Sequence, residues 1–235
     1  MLNIRKPLFV VLILLVFAAV SVAEARDTFY ISPSQVGLSY LLQPPPAVDS
    51  QAQEEDLKAV QAAQKNRTEE QAKSCEADNA LTIFAFVGDV LGPNFNKEKL
   101  AVTTPFFERV YVDQIEAAME VKEHFNRQRP FVIDPEIKPI VRQPANASYP
   151  SGHSITGYVY TIILSMMLPE KAQALYNRAG VYSRCRVIVG VHFPTDVESG
   201  RIAAVAIVNA FIQQPLFMRD FDRAKKELRQ ALQLN

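Results

Sequence analysis

Apolar residues recur at helical intervals along most of this 235-residue chain. Thr104 and Pro105 read as an N-cap and first helical residue, opening a segment through Phe106, Val110, Ile115, Met119, Lys122 and Phe125. A second segment starts near Pro150 and runs through Ile155, Tyr158, Val159, Ile162, Ile163 and Met167 before Pro169 ends it. It is apolar almost all round, as a helix at the centre of a bundle must be. Further helices are predicted from Glu170 to about Val189, from Pro194 to about Ile212, and from Met218 to Leu234. Upstream, the stretch from Gln51 to Phe86 is rich in Ala, Gln, Glu, Lys and Leu and predicts two helices. Thr68 and Gln71 have the spacing of a capping box there. No alternation of strands is visible, so the fold class is all-α.

The chain ends differ in character from this helical body. Arg5 and Lys6 precede an apolar run from Leu8 to Val20, with small residues at Ala23 and Ala25, which is the pattern of an export signal. An uncleaved anchor is the alternative, although the run is short for a spanning helix. Residues 24–50 hold Pro33, Gly37 and the run Pro44-Pro45-Pro46, which favours extended backbone. Phe29, Tyr30, Leu38, Tyr40, Leu41 and Leu42 in this arm predict that it lies against the domain or a partner subunit. The expected organisation is a leader at 1–23, a proline-rich arm at 24–50 and a single helical domain at 51–235. The apolar runs Ile155 to Leu168 and Ile202 to Ile212 are too short to span a bilayer comfortably and predict buried helices.

Composition narrows the chemistry. Hydrophobic residues make up 49% of the chain and charged residues 21%, which fits one ordinary globular domain. Lys plus Arg number 25 against 25 Asp plus Glu, so no basic excess is present to hold a nucleic-acid backbone. With two Cys and three His, neither a metal cluster nor a disulfide framework is expected. In an exported chain Cys75 and Cys185 either pair or stay as separate buried thiols, and sequence leaves this open.

Three stretches gather unusual polar residues. Lys122 and Arg129 lie seven residues apart, two turns on one face of a continuous helix, until Pro130 turns the chain out of it. Pro150-Ser151-Gly152-His153 stands ahead of the apolar helix, where free N–H groups at the positive dipole end form an anion site. Arg186, His192 and Asp196 form the third stretch, in which a carboxylate four residues beyond a histidine fixes its tautomer and sharpens its other nitrogen as a nucleophile. Taken singly these stretches read as a solvated basic face, an N-cap and a buried histidine. Together they supply cations for phosphate oxygens, a nucleophile and a proton donor, as phosphoryl transfer requires. A glycine-rich phosphate loop and clusters of acidic residues for two metals are not evident, so histidine chemistry without a cofactor or metal is expected.

In order, the stretches resemble the three-part signature of the phosphatidic acid phosphatase type 2 superfamily, K-x6-R-P, P-S-G-H and S-R-x5-H-x3-D. Cys185 stands where the serine of the third part is expected. The chain looks most like the bacterial class A nonspecific acid phosphatases, which implies a helical bundle of the acid phosphatase and vanadium haloperoxidase type. The resemblance implies His192 as nucleophile through a phosphohistidine, Asp196 as its orienting carboxylate and His153 as proton donor to the leaving alcohol. Lys122, Arg129, Ser151, Gly152, His153 and Arg186 would bind phosphate, while His124 matches no signature position and is expected at the surface. It further implies a periplasmic or secreted, metal-independent phosphate monoesterase. Its expected partners are a small phosphate ester as substrate and phosphate or vanadate as inhibitor, with no nucleic acid and no membrane span after cleavage. A homo-oligomer through the arm stays open. The alternatives are a lipid phosphate or pyrophosphate phosphatase of the same superfamily, and a noncatalytic phosphate-binding helical protein.

Overall fold

The computed structural model describes residues 28–234, and the export-signal reading lies outside them. All elements among the described residues are helical: α1 (Pro33–Val36), α2 (Leu38–Leu41), α3 (Gln51–Asn66), α4 (Glu69–Ala77), α5 (Ile83–Leu91), α6 (Thr103–Phe125), α7 (Pro130–Ile133), α8 (Gly152–Met167), α9 (Ala172–Ile188), α10 (Pro194–Ile212) and α11 (Pro215–Ala231). Short 3₁₀ turns occupy Lys97–Lys99 and Pro169–Lys171. The all-α expectation holds.

Local chemistry explains most boundaries. Ser50, Thr68 and Thr82 cap α3, α4 and α5 through their side-chain oxygens, and Gln71 completes the box with Thr68. The stretch from Gln51 therefore holds two helices as far as Ala77 and a third that runs past Phe86, one more than its composition predicts. The separator is the non-helical link ending at Thr82. The start of α6 is also corrected, because Thr104 does not cap it. Instead Glu227 of α11 accepts from the N–H groups of Val102 (2.9 Å) and Thr103 (2.7 Å), placing a carboxylate at the positive end of the helix. Pro194 opens α10 and Pro215 opens α11 at positions where a missing N–H costs nothing.

Central α8 is enclosed by α6, α9 and α10, with α11 packed on α6 and α3, α4 and α5 packed on α9. Ile155, Val159, Ile163, Leu164 and Met167 are fully buried there, which accounts for a helix with no polar face. The arm is part of this core: Tyr30, Ile31, Val36, Leu38 and Leu42 join the main apolar cluster. It is fixed by polar contacts as well, since Phe29, Tyr30 and Ile31 all donate their N–H groups to the buried Asp113 carboxylate of α6 at 2.7–3.0 Å. Residues 33–41 form the two short helices rather than extended backbone, and the proline run follows them in non-helical conformation.

Helices α8 and α10 approach closely because Gly200 has no side chain. A Cβ there would lie 2.7 Å from the Ser151 carbonyl oxygen and 2.7 Å from Ser154 Cβ. Gly200→Ala is expected to cost about 1–3 kcal/mol, because helix backbone rather than a flexible side-chain tip must yield. A urea midpoint equal to that of the parent protein would count against this tight approach.

Candidate active site

The three polar stretches converge on one cavity of about 160 Å³, whose wall includes Lys122, Arg129, Gly152, His153, Arg186 and His192. Lys122 comes from the last turn of α6. That helix ends at Phe125, where Asn126 adopts a left-handed conformation (φ 45°), so Lys122 and Arg129 do not share a helix face as their spacing suggests. Arg129 instead stands at the N-terminus of α7, and the chain turns a corner between the two. Both cations are gripped by one loop. Lys122 Nζ donates to the carbonyls of Ala147 (2.7 Å) and Ser148 (3.2 Å). Arg129 donates to Asn146 O (2.8 Å), Asn146 Oδ1 (2.8 Å) and Ala147 O (3.1 Å).

Arg186 and His192 are brought together where α9 ends. Gly190, with φ 82°, turns the chain back so that the N–H groups of Val191 and His192 both donate to the Arg186 carbonyl at 3.2 Å. His192 Nδ1 lies 3.4 Å from Asp196 Oδ2, and its Nε2 lies 3.2 Å from Arg129 Nη1. A guanidinium only donates, so Nε2 accepts and carries the lone pair, while the ring proton sits on Nδ1 toward Asp196. The tautomer is the one in which Nε2 is the nucleophilic nitrogen.

Asp196 is completely buried in the first turn of α10. Its carboxylate also accepts from Ser148 Oγ (2.5 Å), Phe193 N (2.9 Å) and Arg127 Nη1 (2.6 Å). Burial alone would raise its pKa, but His192, Arg127 and Ser148 together hold it down to about 2. The cavity cations show the reverse pattern. Burial, with Arg129 adding repulsion, lowers Lys122 to about 7. Burial lowers Arg129 to about 10, and His153 is pushed down to about 3 by burial and then by the charge of Arg186. His192 falls well below the ordinary imidazole value, mainly through burial.

Ser151 departs from its expected place. It is fully buried, its Oγ accepts from Ser154 N–H as the cap of α8, and its N–H donates to Asp196 O (2.9 Å). It is thus absent from the cavity wall, with its hydroxyl oxygen engaged as an acceptor by the start of the helix and its main-chain N–H by Asp196. Gly152 and His153 remain, with first-turn N–H groups that have no acceptor within the helix. His124 is exposed, as expected. Cys185 is paired with Cys75 in a disulfide.

Several polar residues of the site escaped the sequence reading. Arg127 bridges Asp196 to Asp56 (2.7 Å) and Gln53 (2.6 Å) of α3, and stacks over Phe193 at 4.1 Å. Asn146 holds Arg129, and Asn79 touches both His153 and Arg186. The one available signal for Arg127 was its position inside the first signature stretch. Asn79 and Asp56 had none.

Residues 110–219 match the PAP2 superfamily, a segment running from α6 into α11 that contains all three polar stretches. Nearly the whole chain is also similar to named relatives. It is 27% identical over 227 residues to a non-specific acid phosphatase of Salmonella typhimurium, covering 91% of this chain and 89% of that relative. It is 28% identical over 226 residues to a non-specific acid phosphatase of Providencia stuartii, covering 90% and 91%. The fold is shared with a bacterial vanadium-dependent iodoperoxidase at a TM-score of 0.53 and 19% identity, over 72% of this chain and 52% of the other.

The depressed histidines set the sign of the acid response. On unfolding, His153 and His192 regain values near 6.5, so below that pH the unfolded chain binds more protons than the folded one. Stability is expected to fall as pH drops from about 6.5, with Asp196 adding to the loss below about 4. Urea midpoints between pH 7 and pH 4.5 check this, and His153→Asn is expected to flatten the fall. A midpoint that rises on acidification would contradict the assignment.

Proposed function

We propose that this chain is an exported acid phosphatase that cleaves phosphate monoesters through a phosphohistidine on His192. The observation that carries the reading is the His192 ring: its Nδ1 is engaged by a buried carboxylate and its Nε2 lone pair belongs to a cavity walled by cations. Nε2 attacks phosphorus, the ester P–O bond breaks with its electron pair on the leaving oxygen, and His153 supplies that oxygen with a proton. Water then attacks the phosphohistidine and releases inorganic phosphate. Lys122, Arg129, Arg186 and the N–H groups of Gly152 and His153 take the phosphate oxygens, with Ser151 acting beneath them as the helix cap. Burial and then the charges of Arg186, Arg129 and Lys122 depress His153, and a bound phosphate dianion offsets the charge part, which favours the protonated ring.

Relatives named non-specific acid phosphatase, aligned over nine-tenths of the chain, support the reaction class. Metal independence is supported by the donor set, since no Asp or Glu lines the cavity and its charged residues are cations. Export is supported by the disulfide, which belongs to an oxidising compartment. Among the described residues no single helix is long and apolar enough to cross a membrane. The division into leader, arm and domain at 23 and 50 is part of this proposal, as are phosphate and vanadate as inhibitors. Exposed Tyr40 and Leu41 in the arm support a homo-oligomer.

Hydrolysis of p-nitrophenyl phosphate by the mature protein from pH 4 to 8, with excess EDTA, tests the proposal. Activity is expected to survive EDTA and to drop by about a thousandfold or more in His192→Ala. The ratio kcat/KM is expected to fall above about pH 7, where Lys122 loses its charge. A parent protein that binds phosphate but turns nothing over would overturn the enzyme reading.

A further inference from the structure

The link between α4 and α5 carries no signature residue and lies outside the segment matched to the superfamily, yet it runs along one side of the cavity. Cys75 is bonded to Cys185, the residue before Arg186. The Cys75 carbonyl accepts from Arg186 Nη2 at 2.9 Å, and Asn79 Oδ1 accepts from Arg186 Nη1 at 3.1 Å. The main-chain carbonyl of Asn79 lies 3.2 Å from His153 Nε2. On either side the link is fastened to α9. The disulfide precedes Asn79, the Asp78 carboxylate pairs with Arg178 at 2.5 and 2.9 Å, and the Ala80 carbonyl accepts from Tyr182 Oη at 3.0 Å.

A carbonyl oxygen only accepts, so His153 Nε2 carries a hydrogen, and Nδ1 is the nitrogen that gains and releases the second proton. We infer that Asn79 is a positioning residue for phosphoryl transfer, its main-chain oxygen fixing His153 for proton delivery through Nδ1 and its side-chain oxygen aiming Arg186. The inference rests on the phosphatase reading above. As the ester P–O bond breaks, its electron pair stays on the leaving oxygen, which takes the Nδ1 proton. The ring keeps its Nε2–H and ends neutral. Arg186 is almost wholly buried, and its Nε has no protein acceptor among the described residues, so Nε–H and the second hydrogens of Nη1 and Nη2 remain for phosphate oxygens while one hydrogen of each Nη is held by the link.

The test compares kcat/KM for phenyl phosphate, whose leaving group needs a proton, with that for p-nitrophenyl phosphate, whose phenolate leaves without one. In Asn79→Gly, which frees the main chain and removes Oδ1, phenyl phosphate is expected to lose about tenfold and p-nitrophenyl phosphate about threefold. The Cys75→Ser/Cys185→Ser pair releases the same link without touching Asn79. It is expected to give the same split, and it carries the test if Asn79→Gly does not fold. Melting temperatures of both variants are measured so that assays run well below them. Equal losses on the two esters, or no loss on either, overturn the inference. A wild-type protein inactive on both esters instead sinks the phosphatase reading on which it rests.

Discussion

The arrangement depends on one buried carboxylate. Asp196 has no exposure to solvent and accepts from Ser148, Phe193 and Arg127 as well as facing His192. Its main-chain carbonyl takes the Ser151 N–H, so the same residue ties the start of α8 to the start of α10. Through Arg127 the network reaches Asp56 and Gln53 of α3, and Asp56 also accepts from the Thr195 hydroxyl. A charge taken out of water is tolerable only when its partners are complete, and removing one from such a set costs about 3–5 kcal/mol. Orientation of the imidazole is therefore inseparable from the packing of three helices.

Much of this was legible in the chain itself. Helix α10 runs from Pro194 to Ile212, as its proline and apolar spacing predict, and α8 was readable as central because it has no polar side. The cavity residues were readable because their types and order match a known signature. The supporting residues were not. Arg127 and Asp56 are 71 positions apart, and each is of a type that usually faces water, so only the fold reveals them as a pair. Thr104 looks like a cap because Thr-Pro is common at helix starts, but the helix begins one residue earlier, and Glu227 reaches the N–H groups of Val102 and Thr103 from α11. Ser151 is expected among the ligands from its place in the second signature stretch, whereas in the fold it lies off the cavity wall and its hydroxyl oxygen caps the helix it begins.

The cavity gathers like charges in a poorly solvated space at a cost: burial depresses both Lys122 and Arg129, and the charge of Arg129 adds to the depression of Lys122. An anion relieves that cost, so affinity and stability draw on the same electrostatic term. Asp196 offsets part of it, favouring the charged forms of both Lys122 and Arg129, although its carboxylate also pairs with Arg127. The result is a cavity whose charged lining is cationic, with the balancing carboxylate buried outside that lining.

The left-handed turn at Asn126 gives the first signature stretch a different geometry from the one its numbering suggests. Lys122 enters the cavity from the end of a helix and Arg129 from the beginning of another, so the interval between them measures a path around a corner. A fixed spacing in such a stretch records the length of a detour, whose ends meet only because one residue tolerates a backbone conformation most others avoid.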